Sequence, residues 1–230
     1  MLVVEVATGS GRKPRLPDFD ILWDYDHPGA TEKKFRELLP AALDSRDLSY
    51  LTQLLTQIAR AEGLQRKFQD AHNTLDRVEK ALLKAEADDE TRVRYLLERG
   101  RVFNSSGKRD EARPLFLQAL DLAAKSKEDF YAVDAAHMIA KWCVAKTLRM
   151  MDHTEEALEM QRELYEQYQA AGKRSGYVYE EIAECLTVMG EEQEAQGWFA
   201  AAYEELSKDP RLATEQDRLN RLKELGRVGG

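Results

Sequence analysis

The sequence is short of several features that would narrow its function at once. It has 2 cysteines in 230 residues, too few for a disulfide framework, and neither Cys143 nor Cys185 belongs to a Cys-x-x-Cys unit. Long apolar runs are missing. The early run Leu2–Val6 has no basic flank in front and is far shorter than a signal core or a membrane span. A positive surplus is missing too: 34 basic residues against 42 acidic ones give a net charge of −8, which argues against a generic nucleic-acid binder and against a membrane protein. The expectation is a soluble cytoplasmic protein with no nucleic-acid or membrane partner.

Glycine and proline are scarce and unevenly placed. Gly9, Gly11, Pro14, Pro17, Pro28 and Gly29 fall within residues 1–30, which read as an extended arm. From Thr31 the pattern is helix after helix, with breaks at Asp44-Ser45, Gly63, Asp88-Asp89, Ser105-Ser106-Gly107, Ser126, Asp152, Ala171-Gly172, Gly190 and Asp209-Pro210. The organisation that follows is an arm over 1–30, one helical repeat domain over 31–226 and a short tail over 227–230. Leu51, Leu54, Leu55 and Ile58 recur at helical spacing, as do Leu115, Ala119 and Leu122, so each helix has one stripe to bury. Asp209 and Pro210 predict the N-cap and first turn of a closing helix, with Leu212, Leu219, Leu222 and Leu225 on one side and Gly226 at its end. Pro40 and Pro114 fall inside helical patterns and predict a kink or a restart.

Enzymatic chemistry finds little support. Gly100 to Lys108 has the outline of a phosphate loop, but its spacing is wrong and Arg109 stands where Ser or Thr must hold the metal. Asp18, Asp20, Asp24 and Asp26 suggest a calcium loop until Trp23 is found at the position that demands glycine. His27, His72, His137 and His153 form no metal-binding pair. Nothing assembles a nucleophile, a base and an orienting group, so no catalytic residue, metal or cofactor is expected.

A repeat is present instead. A small residue on one helix is followed twelve positions later by Ala on the next, then by a bulky residue and a small or apolar one. The sets are Ala59, Ala71, Leu75, Val78; Gly100, Ala112, Phe116, Ala119; Ala145, Ala157, Gln161, Leu164; and Ala183, Ala195, Phe199, Ala202. Small residues suit the close crossing of two helices, and the bulky one plugs the gap to the next hairpin. This pattern resembles the tetratricopeptide repeat (TPR), best over Tyr95–Phe103 with Ala112, Phe116 and Ala119, and over Tyr179–Leu186 with Ala195, Phe199 and Ala202. The second-helix alanines lie 41, 45 and 38 residues apart, as in regulatory TPR proteins with lengthened repeats. Gln161 in place of an aromatic leaves the register of the third repeat open. The resemblance implies an all-α, right-handed superhelical solenoid of about four repeats, with an extra N-terminal helix and a C-terminal capping helix.

It also implies a protein-binding module whose first helices line a concave face. Positions six and three before each small residue, and one and four after it, share the groove side by helical spacing. In the first three repeats these twelve positions include five cations and no acid. Arg60, Arg94, Leu97, Arg101, Asn104, Trp142, Lys146 and Arg149 are the candidate partner-binding residues. An acidic or carboxylate-bearing segment suits that strip. An ordinary solvated face suits it as well, and Trp142 belongs to the core if the third repeat shifts by one. In the arm, Phe19, Ile21, Trp23 and Tyr25 alternate with Asp18, Asp20, Asp24 and Asp26. Two readings are open: these side chains cap the first hairpin, or the arm lies in the groove as an internal competitor. The function expected is a non-catalytic adaptor that binds a protein or peptide segment, of undetermined oligomeric state. The alternatives are a peptide-sensing regulator and a non-catalytic subunit of an enzyme complex.

Overall fold

The computed structural model describes residues 16–83, 88–126, 131–212 and 215–229, with the backbone alone at 131–136 and 211. The first half of the expected arm, with Gly9, Gly11 and Pro14, lies outside the described residues. Among the described residues there are ten α-helices and no strand: α1 Pro28–Ser45, α2 Leu48–Leu64, α3 Phe68–Leu82, α4 Asp89–Ser105, α5 Arg109–Lys125, α6 Tyr131–Arg149, α7 Thr154–Ala170, α8 Gly176–Val188, α9 Glu192–Leu206 and α10 Gln216–Leu225.

The turns explain why the helices stop where they do. Gly107, Gly172 and Gly190 adopt left-handed backbone (φ 83°, 65° and 81°), and the next amide bonds back across the helix end: Lys108 to Phe103, Lys173 to Tyr168, Glu191 to Leu186. Arg66 and Asp152 make the same turn without glycine (φ 61° and 65°), with Lys67 and His153 bonding back to Glu62 and Leu148. The Gly63 break is therefore a turn centred on Arg66, and Gly63 itself is helical. Asp47 and Asp88 start α2 and α4 by accepting the amides of Tyr50 and Thr91.

Three boundaries differ from expectation. α1 begins at Pro28, three residues before Thr31, because proline suits the first turn. Pro40 and Pro114 interrupt neither α1 nor α5; both sit on exposed faces, where the carbonyl left without a donor can turn to water. Pro210 starts only a 3-10 turn through Leu212, and the closing helix begins at Gln216, capped at its end by Gly226.

Every residue of the four repeat sets is buried, Gln161 included, so the register of the third repeat stands. Helices α2, α4, α6 and α8 pack side by side as an inner row, and each pairs with the outer helix that follows it. Gly100 is small for a steric reason: a Cβ there would lie 2.5 Å from the Phe116 ring.

Residues Leu16–His27 are an ordered lip at the first hairpin. Phe19 is buried against Phe35 and Tyr50, Trp23 packs edge-on to Phe35, and Tyr50 Oη donates to the Pro17 carbonyl. The acidic residues mostly serve local turns: Asp24 accepts the amides of Asp26 and His27, and Asp18 accepts that of Asp20.

Candidate functional site

The inner row and α10 surround a cavity of 620 Å³, within the range of about 300–1,000 Å³ found for ligand pockets. Its charged lining comprises Arg60, Glu98, Arg101, Lys146, Glu215 and Arg218. Its ring-bearing wall is Tyr25 from the lip, Phe116, Trp142, Tyr168 and Tyr177.

The cations here are not bare. Arg60 Nη1 lies 3.3 Å from Glu98 Oε1, and Arg101 donates to the same oxygen. Lys146 and Arg149 hold the two oxygens of Glu181 at 2.7 and 2.9 Å. Arg218 of α10 pairs with Glu180 and Glu215, and Arg221 with Glu184 at 2.6 Å. Arg36 reaches Glu62 at 2.6 Å in the same way. Each pair with a carboxylate on a neighbouring inner helix stitches two helices together. Glu98 and Glu181 are both only 3% exposed, so these carboxylates depend on their partners. Burial opposes the charge on Arg101, but Glu98 outweighs it and holds the guanidinium above its ordinary pKa.

The strip without acids is thus corrected, and the reason is positional. Gln57, Glu98, Cys143 and Glu181 all stand two residues before the small residue of their helix, a position left out of the expected groove set. At about 100° per residue that position lies roughly 160° from the small residue and projects into the inner row. The position three before lies only about 60° away, toward the partner helix. Leu97 and Thr56 occupy it and are core, while the larger Trp142 at the same position reaches the cavity wall.

The remaining expected residues divide cleanly. Arg60, Arg101, Asn104, Trp142 and Lys146 line the cavity. Trp142 Nε1 donates to the Tyr177 carbonyl at 3.2 Å, which makes this ring a wall of the cavity with an anchored edge. Arg94 and Arg149 are committed elsewhere, to Asp20 with Glu90 and to Glu181. Asn104 Oδ1 and Glu98 Oε2 are buried without a hydrogen-bond partner among the described residues. Tyr25 of the arm and Tyr177, a groove position of the fourth repeat, line the cavity as well, and Arg218 on α10 is the lining cation that no repeat position marks.

The lip resolves the two readings of the arm into one arrangement. Its buried Phe19 ring caps α1 and α2, while the half-buried Trp23 and Tyr25 stack on each other at 4.8 Å and carry Arg60 over both. Trp23 Nε1 donates to Gln57 Oε1 at 2.9 Å, and Asp20 meets Arg94 at 3.3 Å. The described part of the arm is both a cap and the end wall of the groove.

Burial pushes the Cys143 thiol up, against the pull of Arg101, and pushes Cys185 up to about 12. Among the described residues no group of three or more His, Cys, Asp and Glu is arranged to hold a metal. No described helix is long and apolar enough to cross a membrane.

No family model matches the chain, and no curated protein sequence does. Solved structures do. PlcR of Bacillus thuringiensis, in complex with the peptide PapR7 and DNA, matches at 16% identity with a TM-score of 0.72, over 91% of this chain and 74% of that one. A Podosopora anserina kinesin light chain with nearly identical TPR-like repeats matches at 18% identity and TM-score 0.56, over 80% and 90%. BtubC from P. vanneervenii matches at 14% identity and TM-score 0.60, over 91% and 84%. The fold is that of a TPR-like helical-repeat solenoid.

Proposed function

We propose that this TPR-like solenoid is a non-catalytic receptor for a short peptide segment, held in the concave cavity. The observation that carries this reading is the cavity itself. It has an apolar and aromatic wall broken by a few fixed polar groups, the composition that small-ligand sites share. Two acceptors of lining residues, Glu98 Oε2 and Asn104 Oδ1, have no partner among the described residues, and peptide amides are natural donors for them. The similarity to PlcR, whose solved structure holds a peptide, favours a peptide-sensing role over a plain scaffold. Nucleic acid is not proposed for this face. All four cavity cations are engaged by carboxylates, and a phosphate backbone would have to displace them in a chain of net charge −8.

The test uses two exposed apolar residues of equal accessibility. Ile139 lines the cavity and Leu117 sits on the outer helix α5; each is 38% exposed. Short random peptides displayed on phage are selected on the full chain. Their binding is expected to fall in Ile139→Glu and to persist in Leu117→Glu. Failure to enrich any peptide, or the opposite pattern, contradicts the reading.

A further inference from the structure

Of the four cations that line the cavity, three follow one pattern and one departs from it. Arg60 has Glu98 at its edge and the Trp23 and Tyr25 rings at its faces, at 5.5 and 5.4 Å. Lys146 has Glu181 on one side and the Trp142 ring at 4.8 Å. Arg218 has Glu180 and Glu215 with the Tyr177 ring at 5.1 Å. Arg101 lies between them in the cavity wall and has its carboxylate, Glu98, but among the described residues no ring lies over it.

We infer that the open face of the Arg101 guanidinium is the subsite for an aromatic side chain of the bound peptide. The inference rests on the peptide-receptor reading and names the residue class that reading leaves unspecified. Its surroundings suit a ring: Val102, Phe116, Met138 and Cys143 line the same cavity and offer apolar contact around it. Glu98 fixes the guanidinium by its edge, so the planar face is what remains to be covered. A ligand carboxylate fits less well at this point. It would stand beside a carboxylate already in place, one that is 97% buried and whose Oε2 has no donor of its own. An amide N–H from the same peptide satisfies that oxygen, so a neutral backbone carrying a ring meets both demands.

Ring electrostatics separate this subsite from a merely greasy one. Two pools of capped pentapeptides are offered to the full chain, one with phenylalanine as its sole ring-bearing residue and one with cyclohexylalanine at the same positions. Retained peptides are counted by mass spectrometry after ultrafiltration. The aromatic pool is expected to be retained about 2- to 30-fold better, because the saturated ring matches phenylalanine in bulk and lacks its quadrupole. Arg101→Gln removes the cation while keeping a donor for Glu98, and is expected to narrow the ratio. Arg149→Lys, outside the cavity lining, is expected to leave it alone. Equal retention of the two pools, or a ratio unchanged in Arg101→Gln, overturns the aromatic subsite while leaving a peptide receptor standing. Retention of neither pool overturns both.

Discussion

Arg94 on α4 pairs with Asp20, 74 residues earlier in the chain, at 3.3 Å, and its guanidinium lies 6.0 Å from the neighbouring Phe19 ring. The contact ties the N-terminal lip to the second inner helix. It does not follow that charge holds the lip in place. Asp20 is half exposed, and exposed pairs contribute at most about 1 kcal/mol. Phe19 is 6% exposed between two rings. Phe19→Ala is expected to cost roughly 3–5 kcal/mol in urea unfolding, and Asp20→Ala less than about 1 kcal/mol. Similar losses from the two would mean that the lip is clamped by charge.

Two glycines on helices should respond in opposite directions to the same substitution. At Gly100 an added methyl meets the Phe116 ring at 2.5 Å, whereas at Gly197 it meets nothing within 4 Å. Gly100→Ala is expected to destabilise by about 1–3 kcal/mol through overpacking. Gly197→Ala should stabilise by about 0.5–1 kcal/mol through helix propensity alone. Melting temperatures of the two variants against wild type check the pair.

Asp88 should carry part of the acid limb of stability. Burial pushes its pKa up, but hydrogen bonds from Thr91 and Ser49 outweigh that and hold it below the ordinary 3.8. A carboxylic acid lowered in the folded state stabilises the fold above its unfolded value, and that contribution is lost as pH falls through the folded one. Asp88→Ala is expected to cost about 1 kcal/mol at neutral pH, as a lost N-cap does, with the difference from wild type shrinking below about pH 4. A difference that stays constant across that range would contradict this.

The two cysteines give a check on the core. Cys143 and Cys185 are buried, and burial raises both thiols. Neither is expected to react with a thiol reagent at pH 8 in the native chain, and both should react in denaturant. Rapid native labelling of either would place it outside the core described.

The repeat was legible because its positions answer to packing alone. Ala59, Gly100, Ala145 and Ala183 must be small where helices cross, and spacing finds them without a structure. Gln161 followed the same spacing although its chemistry did not fit, and it is fully buried all the same. The groove was less legible. Helical spacing gave Arg60, Arg101 and Lys146, but it cannot say that Glu98 and Glu181, two residues before the small positions, reach the same cations. Which way a long side chain leans depends on the neighbouring helix, and that information is tertiary. Leu97 is core for the same reason: it shares its helix position with Trp142, which lines the cavity, and the packing of each side chain decides between the two. Tyr25 and Arg218 enter the cavity from opposite ends of the sequence, and no local pattern brings them together.

The chain's 3 tryptophans permit a direct test of the concave cavity as the binding surface. Trp142 is in its wall, Trp23 is in the lip against Arg60, and Trp198 packs with Tyr165 and Tyr179 away from the cavity lining. The measurement is the shift of the three indole N–H resonances in a ¹⁵N–¹H correlation spectrum as a selected peptide is titrated into the full chain. The largest shift is expected at Trp142, with Trp198 unmoved. A peptide that binds while shifting Trp198 and leaving Trp142 in place would contradict the account.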